Sequence, residues 1–258
     1  MLTRFVPLLL LMMFLGSACA RELLVVGGHF DDMYERRPNG EFAGLGADVM
    51  RAMLKRSGDT ARFEIYPWAR AQAMVAAGQA DILVGPYKTP ERVARMAFSE
   101  HAFMSDDIVF YVRAGAGIAW SGDYAELADK PMVVVKNWAY GGAFDAARPK
   151  LQVRQVDSVP GALKMLTQKH VELFPSNRRN VERALVELNL TGQVVALPHV
   201  ILRQESYFAY PPGPAWKPLR LRMDAALRAL SESGELKRLN QRYPHSQSAG
   251  GFAPPADR

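Results

Sequence analysis

The sequence holds a single cysteine, Cys19, inside the apolar segment that opens the chain. One cysteine cannot form an intrachain disulfide, and a cysteine metal site needs several. If Cys19 leaves with the leader described below, thiol catalysis goes with it. No apolar run reaches the ~20 residues of a membrane-spanning helix. No block of Lys and Arg exceeds the pairs Arg36-Arg37 and Arg178-Arg179, although basic residues outnumber acidic ones by 32 to 26. Nucleic acid is therefore not an expected partner. His29, His101, His170, His199 and His245 form no pair at the i,i+4 spacing of a metal-binding helix. The local group His29-Phe30-Asp31-Asp32 reads as a polar loop rather than a metal site. A glycine-rich phosphate loop, a serine elbow and an HExxH helix are missing too, and no cofactor is expected. With 49% hydrophobic and 22% charged residues, the chain is neither fibrous nor wholly disordered.

What is present begins with a leader. Arg4, the apolar run Phe5–Leu15 and Ala18-Cys19-Ala20 follow the order of a secretory signal with an A-x-A cleavage site. Residues 1–20 are expected to be removed, which lowers the formal net charge from +6 to +5 because Arg4 is lost. Gly16-Ser17-Ala18-Cys19 also loosely resembles a lipoprotein box, so acylation of Cys19 stands as the alternative. A periplasmic location is expected.

Beyond the leader, short apolar runs alternate with helical stripes. Glu22–Gly27, Arg62–Tyr66, Ala80–Val84 and Asp107–Val112 read as strands. Val49, Met50, Met53 and Leu54 mark a helix over Ala47–Ser57 that Gly58 stops, and Trp68–Ala77 a second after Pro67. Asp31–Gly40 reads as a polar loop. Thr89-Pro90-Glu91 has a capping hydroxyl before a first-turn proline. The second half continues with strands at Met132–Val135, Leu151–Val156, Val171–Phe174, Val194–Leu197 and Ser206–Tyr210. Its helices fall at Gly142–Ala147, after Ser158, along Val181, Leu185 and Leu188, and over Pro218–Ser231 and Gly234–Tyr243. The pattern predicts an α/β protein with two mainly parallel sheets flanked by helices. The expected division is a first lobe over 21–112, a second over 113–205, a return to the first over 206–243 and a tail at 244–258. A cleft between two lobes is the default ligand site.

Three stretches carry a family resemblance. Asn39-Gly40-Glu41-Phe42-Ala43-Gly44-Leu45-Gly46-Ala47-Asp48-Val49 resembles the N-G-x-x-x-G-x-x-x-D-[LV] stretch of bacterial extracellular solute-binding proteins, family three. Gly78-Gln79-Ala80-Asp81-Ile82 is similar to that family's G-x-x-D-[AI] strand, and Thr89-Pro90-Glu91-Arg92 with Phe98-Ser99 to its T-P-E-R…F-S signature. The resemblance implies a two-lobed periplasmic-binding fold of type II that closes on a small solute by hinge motion. It places Arg92 as a clamp for a ligand carboxylate, a role suited to the planar, bidentate guanidinium. It also points to Phe30 and Trp68 as aromatic walls, to Gly85 and Tyr87 ahead of the arginine, and to Asn137, Trp138, Tyr140 and Asn177 from the second lobe. Each has a plainer role open to it: a solvated or ion-paired Arg92 beside Glu91 or Asp81, or aromatic residues that only pack a core. Arg70 and Arg178 could face the cleft or lie on wet helix faces.

The departures bear on the ligand. The acidic residue that holds an amino acid's ammonium in the family should fall near Ser176-Asn177, where no carboxylate stands. A carboxylate, a small peptide or an aromatic solute therefore fits about as well as a standard amino acid. The expected function is a monomeric, non-enzymatic receptor that serves an ABC importer or a membrane sensor. The alternative is a periplasmic enzyme on the same fold, a lyase resembling cyclohexadienyl dehydratase. It would need an acid/base carboxylate in the cleft, for which Asp31, Asp32 and Glu205 are the candidates.

Overall fold

The run Leu23–Gly27 forms β1, buried at all five residues, in a computed structural model that describes residues 21–243. The leader with Cys19 and the tail from Pro244 onward lie outside the described residues. Parallel strands β4 (Ala61–Ile65) and β5 (Ile82–Tyr87) flank β1, with Val25 opposite both Phe63 and Ile82. A strand covered on both faces needs an unbroken apolar run, and β1 has one. Helix α1 (Leu45–Ser57) buries Val49, Met50, Met53 and Leu54 and ends at Gly58 in the left-handed region. It begins two residues before the predicted start because Gly44, at φ 99°, turns the chain against Met33. A Cβ at Gly44 would stand 2.4 Å from the Met33 carbonyl carbon, so only glycine fits. Helix α2 (Trp68–Ala76) follows Pro67 and buries Ala71 and Val75.

The predicted polar loop Asp31–Gly40 holds β2 (Glu35–Arg36), which pairs as a small hairpin with β3 (Phe42–Ala43) just beyond it. Tyr34 anchors it from the core, donating its hydroxyl to the Val25 carbonyl at 3.0 Å.

Two long strands tie the molecule together. β7 (Met104–Arg113) and β11 (Val194–Tyr210) run antiparallel along most of their length. Two separate strands were expected within 194–210, divided at Pro198. Instead the ladder shifts register between Ala196 and Val200 and again before Leu202, so the proline is absorbed as an irregularity. The far end of β11 pairs with β5 and with β6 (Ala97–Phe98). The sheet is therefore mixed: parallel pairs lie around β1, and the linking strands are antiparallel.

Beyond the linking strands lies the second lobe. β8 (Met132–Val135) and β9 (Val153–Val156) pair in parallel, and β10 (Phe174–Asn177) pairs with β7. β10 lies three residues past the predicted strand. It carries Pro175, which a strand at the end of the sheet tolerates. Helices α4 (Gly142–Ala147), α5 (Val159–Thr167) and α6 (Arg178–Glu187) complete this lobe. The last helices, α7 (Lys217–Glu232) and α8 (Glu235–Asn240), return to α1, where Leu219, Met223, Leu227 and Leu230 share a core with Met50 and Met53. That core and a smaller one cover the two faces of the first lobe's sheet, and two others fill the second lobe. The short helix α3 (Pro90–Arg95) stands at the junction. Among the described residues no helix is long and apolar enough to cross a membrane.

Candidate functional site

Strands from both lobes end on one cleft, the position where open α/β sheets present ligands. The first lobe brings Phe30 after β1, Trp68 after β4, and Gly85 and Tyr87 on β5. The second brings Trp138 and Ala139 after β8, then Asn177, Arg179 and Asn180 at the junction of β10 and α6. With Met33 and Arg92 these residues line a small, narrow cavity. The rings of Phe30 and Trp68 meet edge to face at 5.1 Å, and Trp138 stands 6.0 Å from Phe30 across the cleft. Gly85, at φ 83°, keeps this wall flat under Met33.

Arg92 is positioned by its own backbone. The Thr89 hydroxyl accepts from the Arg92 N–H at 3.3 Å and caps α3, with Pro90 in its first turn. The guanidinium donates to the Tyr87 carbonyl at 3.2 Å and, across the cleft, to the Asn137 carbonyl at 3.1 Å. Asn137 presents that carbonyl from a left-handed conformation, φ 61°. The guanidinium also lies 5.7 Å from the centre of the Trp68 ring. Burial lowers its pKa from the ordinary value. The competing ion pairs are taken elsewhere: Asp81 binds Arg21 at 2.6 Å and Glu91 faces Arg95 at 3.6 Å. Among the described residues Arg92 has no carboxylate partner.

A second guanidinium was not expected here. Arg179, buried with its side chain 3% exposed, reaches Asp106 at 3.3 Å. It donates to the Asn180 side chain at 2.8 Å and to the Asp31 carbonyl of the opposite lobe at 2.6 Å. Asp106 also accepts the Tyr87 hydroxyl at 2.9 Å. Burial pulls the Arg179 pKa down, but the charge of Asp106 and its neighbours outweighs this and holds it above the usual value. Burial, reinforced by Asp106, raises the Tyr87 hydroxyl well above its ordinary pKa, so that it stays a donor. Two atoms of this network have no hydrogen-bond partner, Arg179 Nε and Asp106 Oδ1.

Further out, Arg183 spans the mouth. It lies 3.1 Å from Glu35, 3.3 Å from Asp32 and 3.9 Å from Asp31 in the first lobe, and 2.9 Å from Glu187 on its own helix. His29, Asp31 and Glu35 gather within one potential ligand shell here, but Arg183 supplies the cationic charge among them.

Of the residues singled out from sequence, Phe30, Trp68, Gly85, Tyr87, Arg92, Trp138 and Asn177 meet at the cavity. Asn137 contributes its carbonyl. Tyr140 does not reach the wall: it is buried in the second core, where its hydroxyl accepts from the Val135 N–H at 2.8 Å. Arg70 stacks outside on Tyr66, and Arg178 faces Glu182 at 4.0 Å. Sequence reasoning missed Met33, Ala139, Arg179 and Asn180. Arg179 carried no signal in the sequence, because two adjacent arginines read as a solvated helix face; the structure puts it in the first turn of α6, capped by Asn177.

The profile of the bacterial extracellular solute-binding proteins, family 3, matches residues 25–246. No curated protein matches the sequence. Among solved structures, a histidine kinase sensor domain with similarity to periplasmic binding proteins superposes with a TM-score of 0.79 at 16% identity, over 89% of this chain and 98% of that one. The histidine-bound substrate-binding protein of an ABC uptake transporter from Streptococcus pneumoniae gives 0.73 at 17% identity, over 86% and 92%. The ancestral amino-acid-binding protein AncCDT-1, a precursor of cyclohexadienyl dehydratase, gives 0.71 at 18% identity, over 86% and 94%. At these identities the likeness shows the two-lobed fold alone.

Proposed function

The chain belongs to the bacterial extracellular solute-binding proteins, family 3, and from that premise we propose that it is an exported, monomeric receptor whose lobes close on a small carboxylate-bearing solute. The receptor hands that solute to an ABC importer or reports it to a membrane sensor. The lobes divide at residues 112 and 205, with 206–243 returning to the first. The observation that carries the reading is Arg92. A half-buried guanidinium with no carboxylate partner among the described residues is bound only by two carbonyls on the wall of the cavity. A solute carboxylate would replace neutral acceptors with a charged, bidentate one in a site shielded from water. Phe30, Trp68 and Trp138 would enclose the rest of the solute, and Tyr87 and Asn177 would orient it.

A lyase on this fold has less support. Asp32 lies with Arg183, and Asp31 sits at the outer mouth. Glu205 is bonded to Tyr207 beside a different groove. None of the three lines the cavity where an acid or base would be needed.

The test is thermal unfolding of the exported protein against a panel of amino acids, dicarboxylates, polyamines and aromatic acids. A ligand at a hundred times its dissociation constant adds about 2.7 kcal/mol, a rise of a few degrees in Tm at this size. The expected result is a shift with carboxylates that Arg92→Ala erases. A shift with polyamines alone would overturn the reading.

A further inference from the structure

The charges of the cavity can be counted. Arg92 and Arg179 stand on its wall, one from each lobe, and no carboxylate or lysine shares that wall. Asp106 lies behind it, 2% exposed, with Oδ2 engaged by both Tyr87 and Arg179 and Oδ1 unpartnered, but it is not part of the lining. Two guanidiniums and one carboxylate leave a single net positive charge. Arg179 also has a donor to spare, because its Nε has no partner although the side chain is almost fully buried. The rest of the wall is uncharged, made of aromatic rings, Met33, Gly85, Ala139, the Tyr87 hydroxyl and the Asn177 and Asn180 amides, and Asn177 stands where a carboxylate could have stood.

From this arrangement we infer that the solute is a monoanion without an ammonium group: a 2-oxo acid or a planar aromatic monocarboxylate held between Arg92 and the Arg179 Nε. The inference rests on the receptor reading above and narrows its ligand. An ammonium entering this cavity would lose its water and meet two guanidiniums, with no wall carboxylate to receive it, and an unpaired buried charge is costly. A dicarboxylate would leave an uncompensated negative charge by the same count. A single carboxylate balances the site, and its second polar atom can accept from Arg179. The rings of Phe30, Trp68 and Trp138 favour a flat, unsaturated body over a branched saturated one.

The experiment is calorimetric titration of the exported protein, refolded to free it of carried ligand, with three matched pairs. These are pyruvate and L-alanine, 4-methyl-2-oxopentanoate and L-leucine, and phenylpyruvate and L-phenylalanine. Benzoate and phthalate are compared for charge. The expected result is that at least one oxo acid binds about ten-fold or more tighter than its amino acid, and that benzoate does not bind more weakly than phthalate. Asn177→Asp, which keeps an N-cap acceptor for α6, should move the oxo-acid to amino-acid ratio about ten-fold toward the amino acid. Equal or tighter binding of the amino acids overturns the inference and leaves the receptor standing. If no member of any pair binds and benzoate and phthalate also fail, the carboxylate reading falls with it.

Discussion

Arg92 and Arg179 meet the same cavity under different constraints. Arg92 is bonded only to carbonyls, so its removal leaves no buried anion behind. Arg92→Ala is expected to keep the fold, with a change in unfolding free energy within about 1 kcal/mol by urea titration. Arg179 and Asp106 form a buried pair, so Asp106→Asn strands a guanidinium. Its expected cost is about 3 kcal/mol, read by the same titration. The sequence made Arg92 visible through the Thr89-Pro90-Glu91-Arg92 pattern, which sets both a cap and a direction. It gave no such sign for Arg179. Two adjacent arginines look like a solvated face, and only the fold shows the second one turned inward to Asp106. Tyr140 went the other way: a tyrosine in a loop after a strand suits a cleft, but its hydroxyl is satisfied by Val135 inside the core.

Elements were legible where one periodicity governed them. The stripe Leu219, Met223, Leu227 and Leu230 is buried as its spacing requires, and so are Ala162, Leu163 and Leu166. The hairpin of β2 and β3 was hidden because two-residue strands carry no periodicity. The length of β11 was hidden because Pro198 reads as a stop. Capping offers a direct comparison of two elements. Ser158 accepts from the Gly161 N–H at 3.2 Å and Thr89 from the Arg92 N–H at 3.3 Å. Removing either hydroxyl with alanine should cost about 1 kcal/mol. Only Thr89→Ala should also weaken solute binding, because α3 carries Arg92; calorimetry of both variants beside their Tm values checks this.

Across the whole molecule, closure rests on a few bridges between the lobes. Arg92 reaches the Asn137 carbonyl, Arg179 the Asp31 carbonyl, and Arg183 the carboxylates of Asp31, Asp32 and Glu35. The Arg183 set is partly exposed and ionic, so salt should weaken it. Small-angle scattering is expected to show a larger radius of gyration for the ligand-free protein in 1 M NaCl, and for Arg183→Ala at low salt, with saturating ligand reversing both. The alternation of strands and helices foretold two lobes, but the bridges between them depend on side-chain directions that no sequence pattern encodes. The most direct test of the central claim is native mass spectrometry of the protein purified gently after export, beside its Arg92→Ala variant. The account predicts an adduct whose mass fits a small carboxylate and whose retention is lost in Arg92→Ala. An adduct held equally well by both proteins would contradict it.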